Sequence, residues 1–159
     1  MKYLLDTDAF SDIVRGTPNV EAHFSSIPRS LVRISSVTVK EIEYGRSLNP
    51  ERVARRSARI DSLLQNVQAI PFSIEDAYAT GHLRALLTRA GTPIGPYDVM
   101  IAGTALARGL ILITANTREF SRVPGLELEN WRLPSTEVRE NPGEYRVTRV
   151  PSPRVPQAA

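Results

Sequence analysis

Lys2-Tyr3-Leu4-Leu5-Asp6-Thr7-Asp8 is the stretch on which the fold turns. Lys2–Leu5 reads as a short buried strand that ends at a carboxylate, Asp6. A helix follows through Ile13–Val14 and stops at Gly16, and a second helix fits 18–26. Leu31–Ile34 gives the next strand, and Ser35-Ser36-Val37-Thr38 caps a helix to about Leu48. Pro50 opens a long amphipathic helix to about Gln65, and Ala69–Pro71 is a brief extended piece. Ser73 with Asp76 predicts a capping box for a helix that ends at Gly91. Gly95-Pro96 opens a helix with proline at its favoured first position. Its residues Val99, Met100, Ile101, Ala102, Ala105 and Leu106 are apolar nearly all round, which predicts burial. Gly109 ends it, and Leu110–Ile113 is a fully apolar strand. Strands alternating with helices predict an α/β fold with a central parallel sheet flanked by helices.

The chain has 159 residues, of which 42% are apolar and 23% charged. That length suits one domain able to bury about 70% of the surface its unfolded chain exposes. The domain is expected over residues 1–134. The stretch 135–159 holds four prolines, four arginines and few large apolar residues, and is expected to be a flexible tail. No cysteine is present, which excludes disulfides, thiolate zinc sites, iron–sulfur clusters and cysteine nucleophiles. The histidines, His23 and His82, lie far apart and supply neither a histidine metal site nor a Ser-His-Asp relay. Both are expected at the surface or partly buried. No apolar run approaches the ~20 residues of a membrane span. The N-terminus reaches Asp6 too soon for the apolar core of a signal peptide. The expectation is a soluble, cytoplasmic protein.

Three acidic positions stand where an ordinary surface charge would not. Asp6 closes the first strand, on the edge where open α/β sheets bind ligands. Glu41 shares a helical stripe with Val37, Tyr44 and Leu48, which predicts a carboxylate facing inward or into a cleft. Asp98 lies in the first turn of the apolar helix, on the face of Ile101, Ala102 and Ala105. Any one of them alone reads as a capping or hydrogen-bonded structural carboxylate. In a parallel sheet, however, Asp6, Glu41 and the segment Thr114-Ala115-Asn116-Thr117-Arg118-Glu119 gather on the carboxyl-terminal edge. Asp98 joins them only if its helix starts there. Carboxylates brought so close repel one another and resist ionisation, and a divalent cation relieves the repulsion. Carboxylate oxygens completed by water suit Mg²⁺ or Mn²⁺. Such an ion serves phosphodiester chemistry.

Four motifs in order carry a family resemblance. They are Leu4-Leu5-Asp6-Thr7-Asp8; Ile34-Ser35-Ser36-Val37-Thr38-Val39-Lys40-Glu41-Ile42-Glu43-Tyr44-Gly45; Gly91-Thr92-Pro93-Ile94-Gly95-Pro96-Tyr97-Asp98 with Ile101-Ala102; and Thr114-Ala115-Asn116-Thr117-Arg118-Glu119-Phe120. Val123-Pro124-Gly125-Leu126 and Asn130-Trp131 follow the last. Together, from residue 2 to about 133, they resemble PIN-domain ribonucleases of the VapC toxin type. The resemblance implies a PIN-like fold and an Mg²⁺-dependent endoribonuclease acting on RNA, often tRNA. It also implies a homodimer and a small VapB-type antitoxin that blocks the site. Its acidic site maps to Asp6, Glu41, Asp98 and Glu119, with metal held by Asp6 and Asp98. Thr7, Asp8, Thr114 and Asn116 fall on the supporting polar positions. Asp8 departs from the family's usual asparagine, and either tightens metal binding or hydrogen-bonds as asparagine would.

Other readings stay beside this one. Asp6-Thr7-Asp8 also resembles the nucleophile motif of haloacid-dehalogenase-like phosphatases. That class needs a late lysine, whereas the two lysines here are Lys2 and Lys40. A catalytically silent module that binds RNA or a partner is the alternative of a different class. Of the 20 basic residues 18 are arginine, the side chain that grips phosphate in a fork. Arg52, Arg55, Arg56 and Arg59 line one face of the helix after Pro50, either as RNA contacts or as a solvated face. Arg118 is a candidate phosphate contact, and Tyr97 a candidate for stacking on a base.

Overall fold

The computed structural model describes residues 1–134; the expected tail lies outside the described residues. Five short strands form one sheet in the order β3-β2-β1-β4-β5. They are β1 Tyr3–Leu5, β2 Val32–Ser35, β3 Gln68–Ile70, β4 Ile111–Ile113 and β5 Leu128–Glu129. Every pairing is parallel, with Tyr3, Leu4 and Leu5 opposite Val32, Arg33 and Ile34 on one side and Ile111, Leu112 and Ile113 on the other. β1 is therefore central, and its apolar residues are covered on both faces, as a parallel sheet requires.

The helices are α1 Thr7–Arg15, α2 Pro18–Ser26, α3 Ser36–Leu48, α4 Pro50–Val53, α5 Ser57–Asn66, α6 Ile74–Arg89, α7 Pro96–Arg108 and α8 Thr117–Phe120. The two-residue period of a strand divides the core between the faces of the sheet. Leu5, Ile34 and Ile113 pack with Phe10, Ile13, Ile60 and Trp131 on one face. Leu4 and Leu112 pack with Leu87, Ile101, Ala102 and Phe120 on the other. The expected capping box is present: the Ser73 hydroxyl accepts from the Asp76 N–H at 3.3 Å, and Asp76 accepts from the Ser73 N–H at 2.9 Å. Gly16 and Gly109 end their helices in the left-handed conformation, with φ of 74° and 62°. Gly103 lets α6 and α7 approach closely, because a Cβ there would lie 2.1 Å from the Thr80 hydroxyl.

Three expectations are corrected. The strand expected at Leu31–Ile34 is shifted by one, since Arg29–Leu31 forms a 3₁₀ turn. The single helix from Pro50 to Gln65 is two helices split by a 3₁₀ turn at Ala54–Arg56. All three of those residues are exposed, so no burial holds them in α-helical register. The 3₁₀ turn winds at about three residues per turn. The four arginines consequently do not share one face: Arg59 pairs with Glu21 of α2 at 2.8 Å, while Arg52 and Arg56 line a cleft. Finally, the stripe through Glu41 does not face the core throughout. Val37 is buried, but Tyr44 and Leu48 are 62% and 60% exposed. The buried face of α3 is centred on Thr38 and Ile42, which leaves that stripe along its margin. β5 has no counterpart among the expected strands.

Candidate active site

The carboxyl-terminal ends of β1, β2 and β4 deliver the first residues of the site. Asp6 follows β1 and caps α1, its Oδ1 accepting the Ala9 N–H at 2.7 Å. It is 4% exposed and also accepts a hydrogen bond from the Thr114 side chain, which stands just past β4. Burial pushes the Asp6 carboxyl up from 3.8 to about 6; the Thr114 and Ala9 hydrogen bonds oppose this, and the charges of Asp8 and Asp98 add to it. The Thr114 hydroxyl in turn accepts the Asn116 N–H at 3.0 Å, which ties the loop after β4 to the end of β1.

Asp98, half-buried in the first turn of α7, is likewise pushed up from 3.8 to about 6. Burial is the largest cause, followed by the negative charges of Glu119, Asp8 and Glu41. The Asp98 charge reaches Asp6, so α7 starts at the acidic edge. Glu119 of α8 fixes that start. One carboxylate oxygen accepts the Gly95 N–H at 2.8 Å, immediately before α7, and the other accepts the Asn116 side-chain amide at 2.8 Å. These two donors, Asn116 first, hold the Glu119 carboxyl below its ordinary value.

Glu41, half-buried on α3, is ion-paired with Lys40. The Lys40 ammonium also lies 3.2 Å from the centre of the Tyr97 ring, and so bridges α3 to the start of α7. Tyr97 is 47% exposed and already covered on one side by that cation. Thr7 is half-buried, and Asp8 and Arg118 are exposed at the helix starts after β1 and β4. The structure thus brings Asp6, Asp8, Glu41, Asp98 and Glu119 into one electrostatic neighbourhood. It does not close them into a cage: among the described residues no three acidic or histidine side chains stand close enough to hold an ion together. The physical reason is visible, since Glu41 is turned to Lys40 and Glu119 to Gly95 and Asn116.

Sequence reasoning passed over Lys40, and also Asp12. Asp12 is buried at 3% exposed, where Arg132 grips it at 2.6 and 3.1 Å and Arg15 at 3.0 Å. Those guanidiniums hold the Asp12 carboxyl below the usual range against the effect of burial. The charges of Asp8 and Asp6 reach Arg132 as well, so this pair backs the acidic edge from behind. Only the apolar neighbours of Asp12 mark it in the sequence. His82 is exposed, whereas His23 is half-buried and stacks on Trp131 with ring centres 5.9 Å apart. No helix among the described residues is long and apolar enough to cross a membrane.

Comparison with known proteins agrees with this architecture. Over 133 residues the chain is 38% identical to the tRNA(fMet)-specific endonuclease VapC of Salmonella typhimurium, a match spanning 82% of this chain and 98% of that protein. The solved structure of DNA-bound VapBC from Salmonella typhimurium superposes with a TM-score of 0.74 at 38% identity, covering 82% of this chain and 98% of that one. VapBC2 from Rickettsia felis bound to a promoter DNA fragment superposes with a TM-score of 0.75 at 30% identity, covering 82% and 99%. Residues 3–126 match the PIN domain. A parallel sheet with acidic residues at its carboxyl edge, together with this match, makes the chain a member of the PIN-domain family.

Proposed function

We propose that the protein is an endoribonuclease toxin of a toxin–antitoxin pair, cutting tRNA through a divalent cation held at Asp6 and Asp98. One observation carries the reading: a chain that matches a VapC endonuclease over 82% of its length sets Asp6, after β1, and Asp98, at the start of α7, within reach of common negative charge, and burial with that charge pushes both carboxyls up to about 6. An edge of that kind is poised to take a cation. The residues fit Mg²⁺, with Mn²⁺ as a substitute, because their donors are hard carboxylate oxygens. Mg²⁺ is commonly held by one or two carboxylates with waters and substrate phosphates filling the rest, so a closed three-residue cage is not required. When bound, such an ion stabilises charge on the transferring phosphoryl group and makes a neighbouring water more acidic.

The chain's own residues do the positioning. Thr114 and the Ala9 N–H orient Asp6, so that one carboxylate oxygen is committed to the start of α1. Glu119 is a positioning residue, with both oxygens engaged in holding the start of α7 and therefore Asp98. Glu41 and Asp8 add charge to the field at Asp98, and Lys40 stands where it can meet a phosphate approaching Glu41. Arg118, exposed beside Glu119, is assigned the contact to a neighbouring phosphate, a role its free guanidinium chemistry supports. The relatives' occurrence as VapBC complexes supports a small VapB-type antitoxin as partner, and tRNA as substrate puts the protein's work in the cytoplasm.

Incubation of the purified protein with total tRNA and Mg²⁺ tests the assignment. Discrete fragments, with ends that map to one tRNA species such as tRNA(fMet), are expected. Intact tRNA at every protein concentration, in a preparation shown by mass spectrometry to be free of antitoxin, would overturn it.

A further inference from the structure

A cleft of about 280 Å³ opens beside the acidic edge, between α1, α3 and the broken helix α4–α5. Thr7 and Glu41 are among its lining residues, and the buried side chains of Phe10, Ile42 and Ile60 form its floor. Those floor residues are no more than 8% exposed, so their apolar surface is already covered by the core. Its walls carry guanidinium groups beside the half-buried Val53. Four arginines line the cleft, in two distinct states. Arg15 is committed to Asp12, and Arg46 is committed to Glu43 and Asp61. Arg52 and Arg56 are exposed and have no hydrogen bond or ion pair among the described residues. The 3₁₀ turn at Ala54–Arg56 lets both reach the same cleft while Arg59 turns away to Glu21.

We infer that this cleft holds the RNA strand flanking the cleaved bond, with Arg52 and Arg56 gripping successive backbone phosphates. The inference rests on the ribonuclease reading above and extends it to the path of the substrate. Charge is the argument. The cutting edge is acidic and repels a polyanion except at the ion, Lys40 and Arg118, so the affinity for a longer strand needs further cations nearby. Arg52 and Arg56 are free to supply it without breaking an existing pair, and the cleft that they line runs directly to Glu41.

Two arginine contacts to single-stranded RNA should account for about 1.4 of the slope of log K against log salt concentration. Binding is measured by anisotropy with labelled tRNA(fMet) transcript, in an Asp98→Asn background that prevents cutting. The pair Arg52→Gln/Arg56→Gln is expected to lower the slope by about that amount. In the background with intact Asp98 the pair should raise KM several-fold while kcat stays within about twofold. The control Lys2→Gln, exposed ahead of β1 at the end of the sheet opposite the acidic edge, should leave the slope unchanged. Circular dichroism and melting curves establish that all variants fold. An unchanged slope in the Arg52/Arg56 pair, or an equal fall in the Lys2 control, overturns the inference. So does a pair variant that binds and cuts RNA normally but loses its antitoxin, which would assign the cleft to a protein partner. Loss of cleavage by the unmutated protein itself would instead count against the ribonuclease reading.

Discussion

Replacing Asp6 by asparagine should stabilise the protein when no divalent cation is bound. The carboxyl is 4% exposed and its pKa rises from 3.8 to about 6, chiefly through burial. At 1.36 kcal/mol per unit, ionised Asp6 costs the fold on the order of 3 kcal/mol at neutral pH. The folded state binds the proton more tightly than the unfolded chain. The stability associated with this group is therefore complete below about 3.8 and is lost as pH rises through about 6. Asparagine accepts the Ala9 N–H as well as aspartate does at a helix N-cap, so the start of α1 survives. For a chain of this size the gain corresponds to roughly 6–12 °C in melting temperature. Differential scanning calorimetry in EDTA should show that gain at pH 7.5 and its near disappearance at pH 4. Saturating Mg²⁺ should reverse the order, because it stabilises only the protein that binds it. A lower melting temperature for Asp6→Asn at pH 7.5, or an equal gain at both pH values, would refute the reasoning.

Further outcomes follow from other contacts. Gly103→Ala should cost about 1–3 kcal/mol in urea unfolding, because its Cβ meets Thr80 at 2.1 Å from the hydroxyl and 2.9 Å from the Cα, which is backbone that cannot swing away. Arg132→Ala should cost about 1.5–3 kcal/mol, since it leaves buried Asp12 with Arg15 and a long hydrogen bond from the Thr17 hydroxyl. The loss should shrink as acid protonates Asp12, whose folded pKa is lowered, so pH 7 and pH 3 melts separate the effect from lost packing. Lys40→Met should change the melting temperature little, the pair with Glu41 being at the surface. It should nonetheless tighten Mg²⁺ binding in isothermal titration, by removing a competing cation from the acidic edge; weaker binding would contradict the position given to Lys40.

Much of the fold was legible because its signals are local. Leu4-Leu5 and Ile111–Ile113 are short and wholly apolar, as strands buried on both faces must be. Gly16, Gly109 and the Ser73–Asp76 box mark helix ends through their own backbone chemistry. The sheet's parallel order follows from the alternation, and it places Asp6, Ser35 and Thr114 on one edge. What escaped depends on partners distant in sequence or on runs too short for a period. β5 is two residues long, held by bonds such as the Thr114 N–H to the Glu129 carbonyl at 3.0 Å. Asp12 and Arg132 meet across 120 positions. The break at Ala54–Arg56 reflects a stretch that no burial holds, and helix periodicity alone runs across it. At the site, the positions of the acids were legible, whereas the engagement of Glu119 by Gly95 and of Glu41 by Lys40 belongs to the assembled structure.

The most direct test of a cation-dependent carboxylate centre is single-turnover cleavage of tRNA(fMet) by the unmutated protein and by Asp98→Asn, each in Mg²⁺ and in EDTA. The account predicts cutting in one of the four reactions, the unmutated protein with Mg²⁺, and a loss of at least about 100-fold in the others. Comparable rates in EDTA, or with Asp98→Asn in Mg²⁺, would contradict it.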